Sequence, residues 1–208
     1  MAAISALITE IRTDINDDDS TRFTDAKILN VIKKAIRRAN RIAQRNGLQF
    51  AKKKVALTCT ANQAYIDISS TVSDMDVWIG LYDDSLHSEI KKKTEREWEL
   101  IISAAARANC LFDQANSRIY LNGTPTAADA LTLWYYPKID PAAYTTATST
   151  PWDGRIDDLI MEYTCLRLFN IDEMDVNVDK ALLTDLENQL IQAYAPNAPT
   201  VTEGTGWL

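Results

Sequence analysis

The sequence predicts a mainly α-helical fold with a β-rich insertion, an α+β arrangement. Helix pairs at the two ends form a helical bundle, and a small antiparallel sheet or set of hairpins lies between them. Three observations carry this expectation. Apolar residues recur at helical spacing up to residue 46 and again after residue 153. Between those stretches the period drops to two, with β-branched and aromatic residues enriched. Gly, Pro, Asn and Asp mark the points of change. The expected organisation is a helical pair over 1–50, a β-rich insertion with one helix over 51–150, and a second helical pair over 151–196 that completes one domain with the first. Residues 197–208 form an extended tail.

Ile4, Leu7, Ile8, Ile11 and Ile15 predict an amphipathic helix over 3–16. Asn16-Asp17-Asp18-Asp19-Ser20 reads as a solvated loop. Thr24 is suited to cap the next helix, and Asp25 complements the positive end of its dipole. Ile28, Leu29, Ile32, Ala35, Ile36, Ala39 and Ile42 make its buried stripe, and Asn46-Gly47 stops it. Val55, Leu57 and Cys59 then alternate with less apolar residues as a half-buried strand. Residues 61–63 turn, 64–68 form a second strand and 77–82 a third.

Thr94 and Glu97 form a capping box that starts a helix over 94–108. Ile119–Leu121 and Ala130–Tyr136 read as two strands of one hairpin, followed by a loop over 138–150. Asp153 is positioned to cap a helix built on Ile156, Leu159, Ile160, Tyr163 and Leu166. After a connection over 170–175, Val178, Leu182, Leu186, Leu190 and Tyr194 form the last stripe, which Pro196 ends.

Composition bounds function. The 208 residues are 46% hydrophobic and 25% charged, ordinary for a globular protein. No run approaches the roughly 18–20 apolar residues of a membrane span, and the first residues lack the basic leader of a secretory signal. Cys59, Cys110 and Cys165 are odd in number and far apart, as expected of buried, reduced thiols. The net charge of −7 is unevenly distributed: residues 26–66 hold ten Lys or Arg and no Asp or Glu. Such separation suits docking faces of opposite sign.

Catalytic signatures are absent from the chain's motifs. One histidine, His87, cannot assemble a triad or a multi-histidine metal site. The six glycines form no phosphate-cradling loop. Acidic pairs such as Asp83-Asp84 and Asp157-Asp158 read first as solvated faces, with a carboxylate- and metal-dependent hydrolase as a lesser alternative. No catalytic, cofactor-binding or metal residue is assigned, and no cofactor is expected.

The sharpest feature is the basic side of the second helix. Arg37, Arg41 and Arg45 share one face at spacing i, i+4, i+8, with Lys34 and Arg38 beside them. A subunit contact, a solvated face and a nucleic-acid contact through helix 27–46 all remain open. The isoelectric point near 4.8 weighs against a free DNA-binding protein. Trp207, followed by Leu208, reads either as an anchor that binds elsewhere or as a frayed end.

The stretch Thr21-Arg22-Phe23-Thr24-Asp25-Ala26-Lys27-Ile28-Leu29, at the start of the second helix, resembles the head-to-tail adaptor (head completion or connector) proteins of tailed bacteriophages. The resemblance continues through Ala64-Tyr65-Ile66-Asp67-Ile68, through Leu131-Thr132-Leu133-Trp134-Tyr135-Tyr136-Pro137, and through Pro151-Trp152-Asp153 with the helices after it. It implies a structural virion protein at the head–tail interface, assembled in the host bacterial cytoplasm. Copies of the chain, twelve by the resemblance, would form a ring beneath the portal protein, extend the DNA channel and receive a downstream tail, stopper or nozzle protein. Genome DNA would pass through the lumen without specific binding, and no membrane is involved. On this reading Lys34, Arg37, Arg38, Arg41, Arg45, Trp207 and Leu208 are candidate contacts with a neighbouring subunit or the portal.

Overall fold

A computed structural model of the chain describes residues 3–101, 108–125, 128–171 and 177–194. Its α-helices are α1 (Ile4–Asp14), α2 (Asp25–Asn46), α3 (Glu95–Ile101), α4 (Asp157–Ile171) and α5 (Asn177–Tyr194). The strands are β1 (Lys53–Cys59), β2 (Tyr65–Asp67), β3 (Met75–Asp83), β4 (Ser88–Lys92), β5 (Asn109–Asp113), β6 (Arg118–Leu121) and β7 (Asp129–Pro137). The chain divides into two compact units, Met1–Ala51 with Ile139–Leu208, and Lys52–Lys138.

In the first unit α2 packs chiefly against α4 and also meets α1 and α5. Its inward stripe runs Ile28, Val31, Ile32, Ala35, Ile36, Ala39 and Ala43, all buried. The three alanines recur every four residues, which keeps one strip of the helix narrow enough for close approach. Thr24 caps the helix by accepting from the Lys27 N–H, and Gly47 ends it in the left-handed conformation at φ 69°. Ile4, Leu7, Ile8 and Ile11 of α1, and Ile156, Leu159, Ile160 and Leu168 of the α4 region, complete the apolar interior. Each such side chain contributes about 1.5–3 kcal/mol by leaving water.

The turn between α1 and α2 departs from the solvated loop the sequence suggested. Asp17 is fully buried there. Its carboxylate accepts from the backbone N–H groups of Arg22 (2.8 Å) and Phe23 (3.1 Å) and pairs with the Arg12 guanidinium (2.7 Å). Arg12 also donates to Asp25 (2.6 Å) and to the Phe23 carbonyl (2.8 Å). The Arg-Phe-Thr-Asp stretch thus joins two helices: Phe23 is buried, Thr24 caps, and Asp25 holds Arg12.

The second unit overturns the predicted fold class. Seven strands form one mixed sheet in the order β1-β7-β3-β4-β5-β6-β2, and β1 comes near β2, so the sheet is nearly closed into a barrel. It is not a small antiparallel insertion in a helical bundle. One core cluster draws on every strand, from Leu57 and Cys59 through Leu81, Ile90, Cys110 and Ile119 to Leu131 and Leu133. The stretches 119–121 and 130–136 are not hairpin partners. β6 pairs with β2 and β5, whereas β7 lies between β1 and β3. β4 and β5 run parallel, because α3 forms the crossover between them. Asn109–Asp113, which the sequence reading placed after a helix and gave no strand, is β5.

Thr94 and Glu97 form the predicted capping box at α3. Asp153 does not cap α4; it adopts a positive φ of 58° within a short 3-10 turn. The second half of the helix expected over 94–108, the connection after α4, Pro196 and the tail over 197–208 fall largely or wholly outside the described residues. His87 is exposed in a turn, and all three cysteines are buried. Burial pushes the Cys110 thiol up to about 12, so it stays protonated and inert.

A basic groove as the candidate interaction site

The C-terminal half of α2 turns its polar side toward α4 and α5 and forms the floor of a groove of about 500 Å³. Lys34, Arg37, Arg38, Arg41 and Arg45 line it together with Ile42, and Tyr163, Arg167 and Glu187 face them from α4 and α5. Six cations therefore share one hollow with a single carboxylate. The placement follows from helical geometry: positions 34, 38, 41 and 45 fall along the edge next to the buried stripe, and 37 sits beside them.

The groove has an internal scaffold. Arg38 donates through Nε to Glu187 at 2.5 Å, linking α2 to α5. The hydrogen bond that Glu187 accepts, then its charge, holds the Arg38 guanidinium even more firmly protonated than usual, despite partial burial. Two guanidinium groups approach the ring of Tyr163, Arg38 at 5.6 Å and Arg167 at 5.4 Å from its centroid. Arg167 also donates to the Tyr163 hydroxyl at 3.1 Å. Cations over an aromatic face gain about 0.5–1 kcal/mol each at exposed sites, and here they fix two arginines in place.

Lys34, Arg37, Arg41 and Arg45 differ from this pair. They are exposed, and no described residue forms an ion pair with them. Four such cations held by one helix in a concave surface are suited to carboxylate or phosphate oxygens, since a guanidinium fork can meet two oxygens of either anion. The groove contains no histidine, cysteine or paired carboxylates with which to run acid–base or nucleophilic chemistry. Among the described residues, no group of three or more His, Cys, Asp or Glu is arranged to hold a metal ion.

The five basic residues singled out from the sequence are thus brought together. Trp207 and Leu208 lie outside the described residues. Sequence reasoning missed Tyr163, Arg167 and Glu187, which come from helices more than 100 residues away. The i, i+4 spacing of Tyr163 and Arg167 was the available hint.

No helix among the described residues is long and apolar enough to cross a membrane. A family model described as SU10 adaptor protein matches residues 2–202. No curated protein matches the chain significantly.

Proposed function

Because the chain belongs to the SU10 adaptor protein family, we propose that it assembles as a ring beneath the portal protein of a tailed bacteriophage and carries the next tail or neck component. Membership makes it a structural bacteriophage adaptor of the virion, a role that calls for docking surfaces. The observation that carries the ring reading is the basic groove: four exposed cations on one helix, without an ion-pair partner among the described residues, in an otherwise acidic protein. A net charge of −7 makes every copy repel the next at long range. A local basic receptor supplies the compensating attraction and fixes orientation.

In this reading the portal and the neighbouring copy are the acidic partners, the copy number is twelve, and genomic DNA passes a lumen that does not retain it. The tail over 197–208 orders on the portal with Trp207 and Leu208 as its anchor. Ordering such a segment costs about 1–2 kcal/mol per residue, so a large apolar anchor is needed.

Co-sedimentation with the purified portal ring tests this. The intact chain is expected to pellet with the portal, and a chain lacking residues 197–208 is expected to lose at least tenfold in affinity while keeping its helical circular dichroism. Equal binding by the truncated chain removes the anchor, and no binding by either removes the portal as partner. DNA binding that weakens steeply with salt would favour the second reading, in which the same groove contacts phosphates.

A further inference from the structure

We infer that the basic groove takes the acidic α1–α2 turn of a second copy of this chain. This rests on the ring reading above and adds to it both sides of the contact.

The helical unit carries the two halves of an ionic interface on a single rigid rod. At the N-terminal end of α2, Asp18, Asp19 and Asp25 are exposed, with Asp14 at the close of α1. Asp18 and Asp25 line a second hollow, of about 440 Å³, with Ser20 and Arg12. The turn that presents them is stiff. Asp17 fastens it from inside through Arg12, Arg22 and Phe23. Asp18 accepts from Thr13 (3.0 Å), and Asp19 accepts from the Thr21 N–H (3.2 Å) and hydroxyl (2.9 Å). A preorganised acidic turn loses little freedom when it docks.

At the other end of the same helix stands the groove. From Asp25 to Arg41 the rise is about 24 Å and the rotation about 160°, from 1.5 Å and 100° per residue. Asp25 and Arg41 therefore lie on nearly opposite sides of the rod, and with about 24 Å between their levels the acidic turn and the groove do not pair within one copy. That front-to-back placement of unlike patches is what a heterologous contact requires, and such contacts close into rings when the rotation permits. Lys34, Arg37, Arg41 and Arg45, with no ion-pair partner among the described residues, stand against a turn whose exposed acids are Asp14, Asp18, Asp19 and Asp25, the last already paired with Arg12. Arg38 is already occupied by Glu187 and serves to hold the groove open. A protein surface is favoured over a phosphate backbone, because the complementary acids are present on the chain itself and its overall charge opposes DNA.

Charge exchange decides the matter. Three variants are compared with the wild type by sedimentation velocity on the portal ring: Asp18→Lys/Asp19→Lys, Arg37→Glu/Arg41→Glu, and the chain carrying all four changes. Asp18→Asn/Asp19→Asn, which keeps the local acceptors, and thermal melting of each variant control for folding. Each reversed pair is expected to cut ring formation at least tenfold, and the fourfold variant to recover most of it. Ring formation by either reversed pair at the wild-type level overturns the contact. So does a fourfold variant that melts normally and stays dispersed, since the two patches are then not partners. A wild-type DNA shift that Arg37→Glu/Arg41→Glu abolishes, with rings intact, assigns the groove to phosphate and also overturns it. If the wild type itself forms no ring on the portal, it is the ring reading that fails, and the variants show this by matching the wild type.

Discussion

Arg12 and Asp17 set the geometry of the turn that everything at the N-terminal end depends on. Burial alone would raise the Asp17 carboxyl, but the Arg22 and Phe23 N–H groups and the Arg12 and Arg22 charges outweigh it and hold the value below the ordinary carboxylate range. A carboxyl with a lower pKa in the folded state stabilises fully above its unfolded value, about 4, and that stability is lost as pH falls through the folded value. The melting temperature of the wild type is therefore expected to fall below about pH 4, and to fall less steeply in Asp17→Asn. Asp67, Asp74, Asp113 and Glu97 are also lowered, so the variant keeps part of the slope; an unchanged profile would clear Asp17 of any role. Removing the cation is more severe. Arg12→Met leaves Asp17 buried without its countercharge, and a drop in melting temperature on the order of 10 °C is expected by differential scanning calorimetry. In the sequence Asp17 looked like any member of an aspartate run. Only its burial, produced by the fold of the turn, separates it from Asp18 and Asp19.

At the scale of the element, α2 was readable almost residue by residue. Its cap, stripe and stop are local signals, and each can be tested separately. Ile36→Ala opens a cavity at a fully buried position and is expected to cost about 2–5 kcal/mol in denaturant unfolding. Gly47→Ala forces a β-carbon into a left-handed conformation and is expected to cost about 1 kcal/mol; a neutral result would mean that the helix ends elsewhere. Strands were readable as segments but not as a sheet. Val55–Cys59 and Ala130–Tyr136 alternate clearly, yet nothing in that alternation says that β7 will lie between β1 and β3. Pairing is a long-range property, and the turn residues Asn122-Gly123 and Pro125 after Leu121 suggested a hairpin that the chain does not make. β5 was hidden for a different reason: five residues following a helical run give too little pattern to break it. The groove divides in the same way. Its floor on α2 was visible as i, i+4 arginines, whereas Tyr163, Arg167 and Glu187 became part of it only through the packing of α4 and α5.

Across the whole molecule, charge is the organising quantity. The sheet unit has its own core, from Leu57 to Leu133. In the helical unit the exposed acids Asp18 and Asp19 stand just before α2, beside Arg22 and Lys27, and the cations of the groove stand toward its other end. Because the contact is ionic and exposed at its rim, raising salt from about 0.05 to about 0.5 M is expected to slow assembly on the portal markedly, as screening shortens from roughly 14 Å to 4 Å; assembly indifferent to salt would point to an apolar contact instead. The central claim is the adaptor ring, and electron cryo-microscopy of the portal incubated with this chain tests it most directly. The account predicts a closed ring with one copy per portal subunit, in which the groove of each copy receives the acidic turn of the next. A portal that stays bare over a wide range of salt and protein concentration would contradict it.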